Sequence, residues 1–179
     1  GRGLEGISLQ VQAPTDQALN LGTLKGDAVG IFAGTLKHSG AIQATQANME
    51  GGKVVLKAAG DTYVEGNATI NASSDNARGG SVTVLGQRVA VTDNAQINAS
   101  GATGGGTVLV GGDYQGKNPA LQNSTITYVG TNTQLRADAT QQGDGGKVVV
   151  WADDTTRAYG SISARGGAKV GDGGFVEAS

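Results

Sequence analysis

The side chains that could do chemistry in this chain are few and scattered. Asp153 and Asp154 stand beside Arg157, with Asp144 a short way upstream. Acid–base cleavage of a polysaccharide, or a calcium site, would need three or more such groups converging on one face. Successive residues of a strand point to opposite faces, so Asp153 and Asp154 need not converge, and a solvated corner is expected there. Gly143-Asp144-Gly145-Gly146 and Gly171-Asp172-Gly173-Gly174 have the form of calcium turns. Calcium rolls, however, use tandem nonapeptides with Asp at fixed spacing. These motifs lie a whole repeat apart, and an Asp that bonds its own turn accounts for each. His38 is the single histidine and cysteine is absent, so a transition-metal site lacks partners and His38 is expected on the surface. No Gly-rich stretch carries the Lys-Ser/Thr of a phosphate loop. No catalytic residue, cofactor or metal is therefore expected, and an enzyme is not.

Rings are the other candidates. Trp151, Phe175, Tyr114 and Tyr63 are the expected ligand contacts, because an outward ring can stack on a sugar; it can equally pack beneath a neighbouring loop. Asn67, Asn71, Asn98 and Asn123 each begin an Asn-x-Ser/Thr sequon, the acceptor form for glycosylation. Asn71 and Asn98 fall in one repeat column, which suits a stacked Asn ladder.

The elements that must position these residues are set by an unusual composition. Of 179 residues, 32 are Gly and 2 are Pro, with 4% aromatic, 16% charged and a net charge of −2. Disorder combines low hydrophobicity with high net charge, and the charge here is too small for that. It also gives no basic face for a nucleic acid. No apolar run reaches the length of a membrane-spanning helix. The chain opens on Gly1-Arg2-Gly3 without a signal peptide or initiator Met, which reads as a piece of something longer.

One block recurs: Gly51-Gly52-Lys53-Val54-Val55-Leu56, Gly79-Gly80-Ser81-Val82-Thr83-Val84, Gly105-Gly106-Thr107-Val108-Leu109-Val110 and Gly145-Gly146-Lys147-Val148-Val149-Val150. Residues Gly173 to Ala178 begin another copy, and Val29 to Ala33 a degenerate one. From Val29 to Val54, Val82, Val108, Val148 and Val176 the steps are 25, 28, 26, 40 and 28 residues. A period in the twenties marks a solenoid rung. A second block centres on Ile42, Ile70, Ile97, Leu135 and Ile162, with Ala44, Ala72, Ala99, Ala137 and Ala164 two residues on. Six residues before Ile42, Ile70, Ile97 and Leu135 lie Leu36, Val64, Val91 and Val129, which predicts a third inward column. Both blocks alternate with period two, the strand signature, so Lys53, Val55 and Lys57 should point out, as should Phe32, Trp151 and Phe175. The Gly-Gly pairs fall at corners, where glycine can take φ > 0. The expected fold is all-β: a right-handed parallel β-helix of about six rungs, a single segment over residues 1–179, its hand set by that of parallel crossovers. The 40-residue step holds residues 111–123, with Pro119 among them, and reads as a corner loop insertion bulging from one rung.

Asp144 to Asp153, Ala164-Arg165-Gly166-Gly167, Gly171 to Ser179 and Gly111-Gly112-Asp113-Tyr114-Gln115-Gly116 resemble the filamentous-haemagglutinin-like exoproteins of two-partner secretion systems. The resemblance covers most of the chain and is strongest in its last part. It implies export through an outer-membrane β-barrel transporter that acts on the parent protein. It implies β-helical fibres on the bacterial cell surface, used in adhesion, biofilm or contact-dependent competition. The family's secretion-domain motif, of Asn-Pro-Asn-Gly type, is not recognisable in this chain, which points to shaft from further along the fibre. The expected function is thus a passive structural shaft of a secreted or cell-surface adhesin, with self-association and host or matrix glycans as further partners. The alternatives are a carbohydrate-binding surface and a polysaccharide-acting enzyme.

Overall fold

Alternating apolar and polar residues, rich in β-branched types, form short strands, and glycine at the joints keeps them short. The structure, a computed structural model, describes residues 9–12, 17–20 and 22–179, with side chains from residue 22 onward. The opening Gly1-Arg2-Gly3 lies outside the described residues. Strands come in threes. The first set is β1 (Leu9–Gln12), β2 (Gln17–Asn20) and β3 (Thr23–Gly26). Then come β4 (Ala28–Ala33), β5 (Thr35–His38) and β6 (Ala41–Ala44), and β7 (Lys53–Ala58), β8 (Asp61–Val64) and β9 (Thr69–Asn71). They are followed by β10 (Ser81–Leu85), β11 (Arg88–Val91) and β12 (Gln96–Asn98), and by β13 (Thr107–Val110), β14 (Ile126–Val129) and β15 (Gln134–Arg136). The last are β16 (Lys147–Val150), β17 (Thr155–Ala158), β18 (Ser161–Ser163) and β19 (Phe175–Ala178).

Every strand pairs with the one three places along, so three parallel sheets wrap one bore. The first sheet runs β1-β4-β7-β10-β13-β16-β19, the second β2-β5-β8-β11-β14-β17 and the third β3-β6-β9-β12-β15-β18. The fold is a parallel β-solenoid. Its register matches the repeat in the sequence: Val29, Val54, Val82, Val108, Val148 and Val176 are direct partners, as are Ile31, Leu56, Val84, Val110, Val150 and Ala178. On the third sheet Ile42, Ile70, Ile97, Leu135 and Ile162 stack in the same way. Such side chains are fully buried in mid-stack. Each contributes about 1.5–3 kcal/mol by leaving water.

The second sheet departs from expectation. Leu36 pairs with Thr62, and it is His38 that pairs with Val64 and so joins the column of Val91 and Val129. The corner Ser39–Gly40 is two residues shorter than Glu65–Ala68, so a fixed count back from Ile42 lands on the wrong inward residue. His38 is therefore not a surface residue: it is 0% exposed, in the bore, with Nε2 3.1 Å from the Thr69 carbonyl. Burial pushes its pKa below the ordinary value, against the opposing effect of the Thr69 contact. Thr62 and Thr127, inward on the same sheet, donate to the Leu85 and Trp151 carbonyls of the next rung, each at 2.7 Å.

The Gly-Gly pairs that precede the strands of the first sheet are needed for a reason other than φ, since none of their residues lies in the left-handed region. The second glycine of each pair stacks on its counterpart: a Cβ on Gly80, Gly106, Gly146 or Gly174 would stand 1.9 Å from the carbonyl oxygen of Gly52, Gly80, Gly106 or Gly146. Its N–H donates back across the corner to the Ala column, as in Gly80 to Ala72 (2.7 Å) and Gly106 to Ala99 (2.8 Å). Each rung is thereby pinched shut, and residues 73–79, 100–105 and 138–145 project as stacked loops. Asp138 is buried among them, accepting from the Arg165 N–H (2.7 Å) and Ser163 Oγ (2.9 Å).

Candidate functional site

Residues 111–123 leave the corner after β13, with Tyr114, Gln115, Lys117 and Pro119 exposed. They fold back as a strap over the outer face of the first sheet. The neck closes where the Ser124 N–H donates to the Gly111 carbonyl at 2.8 Å. A 3-10 turn at Tyr114–Gly116 follows Asp113, whose carboxylate accepts the Tyr114 N–H at 2.7 Å and Asn118 Nδ2 at 3.1 Å. The strap then reaches two rungs along the rod. Lys147 on β16 bonds Asp113 at 2.6 Å. The Gln115 N–H donates to Glu177 on β19 at 3.0 Å. The Tyr114 ring meets Phe175 edge-on, 5.2 Å between centroids. Burial alone pushes the Asp113 carboxyl up, but Lys147, Asn118 and the Tyr114 N–H outweigh it and hold the pKa below its ordinary value.

Trp151 lies beneath this strap. A Cβ on Gly116 would stand 2.7 Å from its Nε1, and one on Gly112 3.1 Å from its Cδ1, so only glycine lets the backbone pass over the indole. The indole N–H donates to Asp153 at 3.0 Å. Leu109 and Val149, in the outward row with Val55, are buried although they face away from the bore. Val55 too points outward, as alternation predicts, and is buried. Three of the four rings singled out in the sequence, Trp151, Phe175 and Tyr114, thus belong to one cluster, in which Tyr114 and Phe175 keep exposed edges.

Tyr63 is elsewhere, on the outer face of the second sheet. Its hydroxyl donates to Asp61 at 2.9 Å, Lys37 lies 5.6 Å from its ring centroid, and Arg88 grips Asp61 through two bonds of 2.8 and 2.9 Å. The Arg88 bonds hold the Asp61 carboxyl below its ordinary range, and the Asp61 contact raises the Tyr63 phenol. The same face carries Tyr128 and Tyr159, edge-on at 5.9 Å, which the sequence reading missed. Counting along the second block would have found Tyr128, since it occupies the column of Tyr63.

The acids do not come together. Asp153 serves the Trp151 indole, Arg157 points from β17, and Asp144 accepts the N–H of Asp172 at 2.9 Å, joining one rung's turn to the next. Among the described residues no three of His, Cys, Asp and Glu converge on a point. Asn71 and Asn98 stand in register, but each Oδ1 accepts the N–H two residues on, at 2.9 Å, closing its own turn. A sparser amide contact links Asn94 to Asn67 at 3.4 Å. Asn123 spends its Nδ2 on the Gly116 carbonyl inside the strap.

The architecture defines a parallel β-solenoid with one strapped and one open outer face. Comparison with family models and with curated proteins finds no match. Among solved structures, the chain is similar to the crystal structure of the HMW1 secretion domain from Haemophilus influenzae, at 27% identity and a TM-score of 0.77. The likeness covers 92% of this chain and 44% of that one.

Proposed function

We propose that this segment is a structural shaft of an exported bacterial surface adhesin, carried outward with its parent protein by an outer-membrane β-barrel transporter. The observation that carries the reading is register: like residue stacks on like along the first and third sheets, and the bore is filled by apolar columns. Backbone hydrogen bonds then run along the rod axis, which suits a spacer that must hold its length. The likeness to a secretion domain supports export, and the sequence resemblance to two-partner exoproteins supports the surface location. Catalysis has no support in the placement of Asp144 and Asp153, of which the first serves a turn and the second an indole. The test is limited trypsin digestion of the folded chain. A shaft leaves the strands uncut while the unfolded chain is degraded; rapid cleavage within β7 to β16 contradicts it.

A second reading, a carbohydrate-contacting face, draws support from the uncovered tyrosines of the second sheet. The exposed edges of Tyr114 and Phe175 are a smaller surface of the same kind.

A further inference from the structure

Asn118, in the strap, and Lys147, on β16, meet the same carboxylate. Lys147 Nζ bonds Asp113 Oδ1 at 2.6 Å, and Asn118 Nδ2 donates to Asp113 Oδ2 at 3.1 Å. An ion pair needs only the first of these bonds. The second brings a side-chain amide and an amine to the two oxygens of one proton acceptor. The amide is held at its other end as well, because its Oδ1 accepts the Ala120 N–H at 3.0 Å. Nucleophile, proton acceptor and electrophile thus stand in series, with a donor on the oxygen where negative charge would develop during attack.

The surroundings suit the same chemistry. Lys147 is the direct partner of Phe175 on the next strand, and the Tyr114 ring stands edge-on to Phe175 at 5.2 Å. The Lys147 side chain is 36% exposed and that of Asp113 15%, so the amine and the carboxylate are both partly withdrawn from water. Pro119 follows Asn118. Asparagine ordinarily loses ammonia when the next backbone N–H attacks its side chain, and proline has no N–H, so that route is closed at Asn118. The amine on the shared carboxylate is then the nucleophile at hand.

We propose that Lys147 and Asn118 join in an intramolecular isopeptide bond, with Asp113 as the proton shuttle. Lys147 attacks as the free amine. A bond forms between Nζ and Asn118 Cγ, and the oxygen bonded to the Ala120 N–H takes the negative charge. The Asp113 carboxylate accepts a proton from the attacking nitrogen and passes it to Nδ2. The Cγ–Nδ2 bond then breaks and ammonia leaves, so the step needs no oxidant, metal or co-reactant. The product fastens the enlarged rung to the next one by a covalent bond that reduction does not break.

The test is the intact mass of the folded 179-residue chain during incubation at neutral and at mildly alkaline pH, where more of any lysine is free amine. The chain is expected to become lighter than its sequence by one ammonia, faster at the higher pH. Trypsin should then leave Lys147 uncut, in one branched peptide joined to Asn118. Asp113→Asn cannot take the proton and should slow the loss by about a hundredfold or more. Asn118→Ala, which leaves the ion pair of Asp113 and Lys147 in place, should keep the full mass, and circular dichroism checks that each variant folds. A native chain that keeps its full mass through prolonged alkaline incubation overturns the proposal. So does an ammonia loss that maps to another asparagine, or an Asp113→Asn chain that cross-links as fast as the native one.

Discussion

Replacing Gly80 by Ala puts the packing argument to its sharpest trial. A Cβ at Gly80 would stand 1.9 Å from the Gly52 oxygen and 2.5 Å from the Gly51 carbonyl carbon. Comfortable non-bonded contact is about 3.5 Å, so the rung must give way by more than about 1 Å in a stack spaced at about 4.8 Å. That movement strains the Gly80 N–H bond to Ala72 (2.7 Å) and the Ser81 N–H bond to Gly52 (2.9 Å). Two backbone bonds at about 1 kcal/mol each, with about 1–3 kcal/mol of overpacking, predict a loss of about 3–5 kcal/mol. Gly66 is the counterpart, because its φ is +64° and the nearest atom to an added Cβ is 3.6 Å away. Asn tolerates that backbone, so Gly66→Asn should cost less than about 1 kcal/mol. Urea unfolding followed by circular dichroism measures both. A Gly80→Ala loss below about 1 kcal/mol, or a Gly66→Asn loss as large as that of Gly80→Ala, would refute the claim that closeness, not φ, selects these glycines.

Further outcomes follow from the same structure. His38 titrates below its ordinary 6.5 when folded, so the unfolded chain takes up a proton that the folded chain does not. Stability is full above about pH 6.5 and falls as pH drops from there toward the folded pKa, by up to about 1.4 kcal/mol per pH unit. His38→Val continues the Val64, Val91, Val129 column and should abolish that slope in pH-dependent urea unfolding. Tyr114→Ala removes the ring contact with Phe175 and should cost about 1 kcal/mol. It should also speed amide exchange across Phe175–Ala178 and shift Trp151 fluorescence to the red. Ile97→Ala opens a hole in a fully buried mid-stack position. It should cost about 2–5 kcal/mol in the same unfolding assay.

The repeat made the first and third sheets legible in the sequence, because an inward valine or isoleucine in every rung leaves a periodic mark. The second sheet was only half legible. Its inward positions mix Leu36, Thr62, Val89 and Thr127 with His38, and its corners vary in length, so neither type nor spacing repeats strictly. The glycines were found for a reason that does not hold: turns that demand φ > 0 and backbones that touch across rungs leave the same letter. The strap was visible as an insertion, but its direction depends on contacts 34 and 62 residues away in the chain, Lys147 to Asp113 and Gln115 to Glu177, which no local pattern encodes. Trp151 points outward as alternation predicts, and of the two fates open to an outward ring it takes the second, packing beneath the strap. Tyr128 and Arg157 were legible in principle, since they fall in the outward column of Lys37 and Tyr63 once His38 fixes the register of the second sheet.

The central claim is that each rung stacks in register on the next, even across the enlarged one. The chain has no cysteine, so a pair of introduced thiols reports on register without background. Gln96 and Gln134 are direct partners on the outer face of the third sheet, with the strap lying between them in sequence. Adjacent strands put their Cα atoms about 4.8 Å apart, within disulfide range, whereas Gln96 and Arg136 stand about 8 Å apart, beyond it. Oxidation of the Gln96→Cys/Gln134→Cys chain should give an internal disulfide in nearly every molecule by mass and thiol titration, and the Gln96→Cys/Arg136→Cys chain should give little. The opposite ordering, or equal yields, would contradict the register on which the shaft, the strap and the open face all depend.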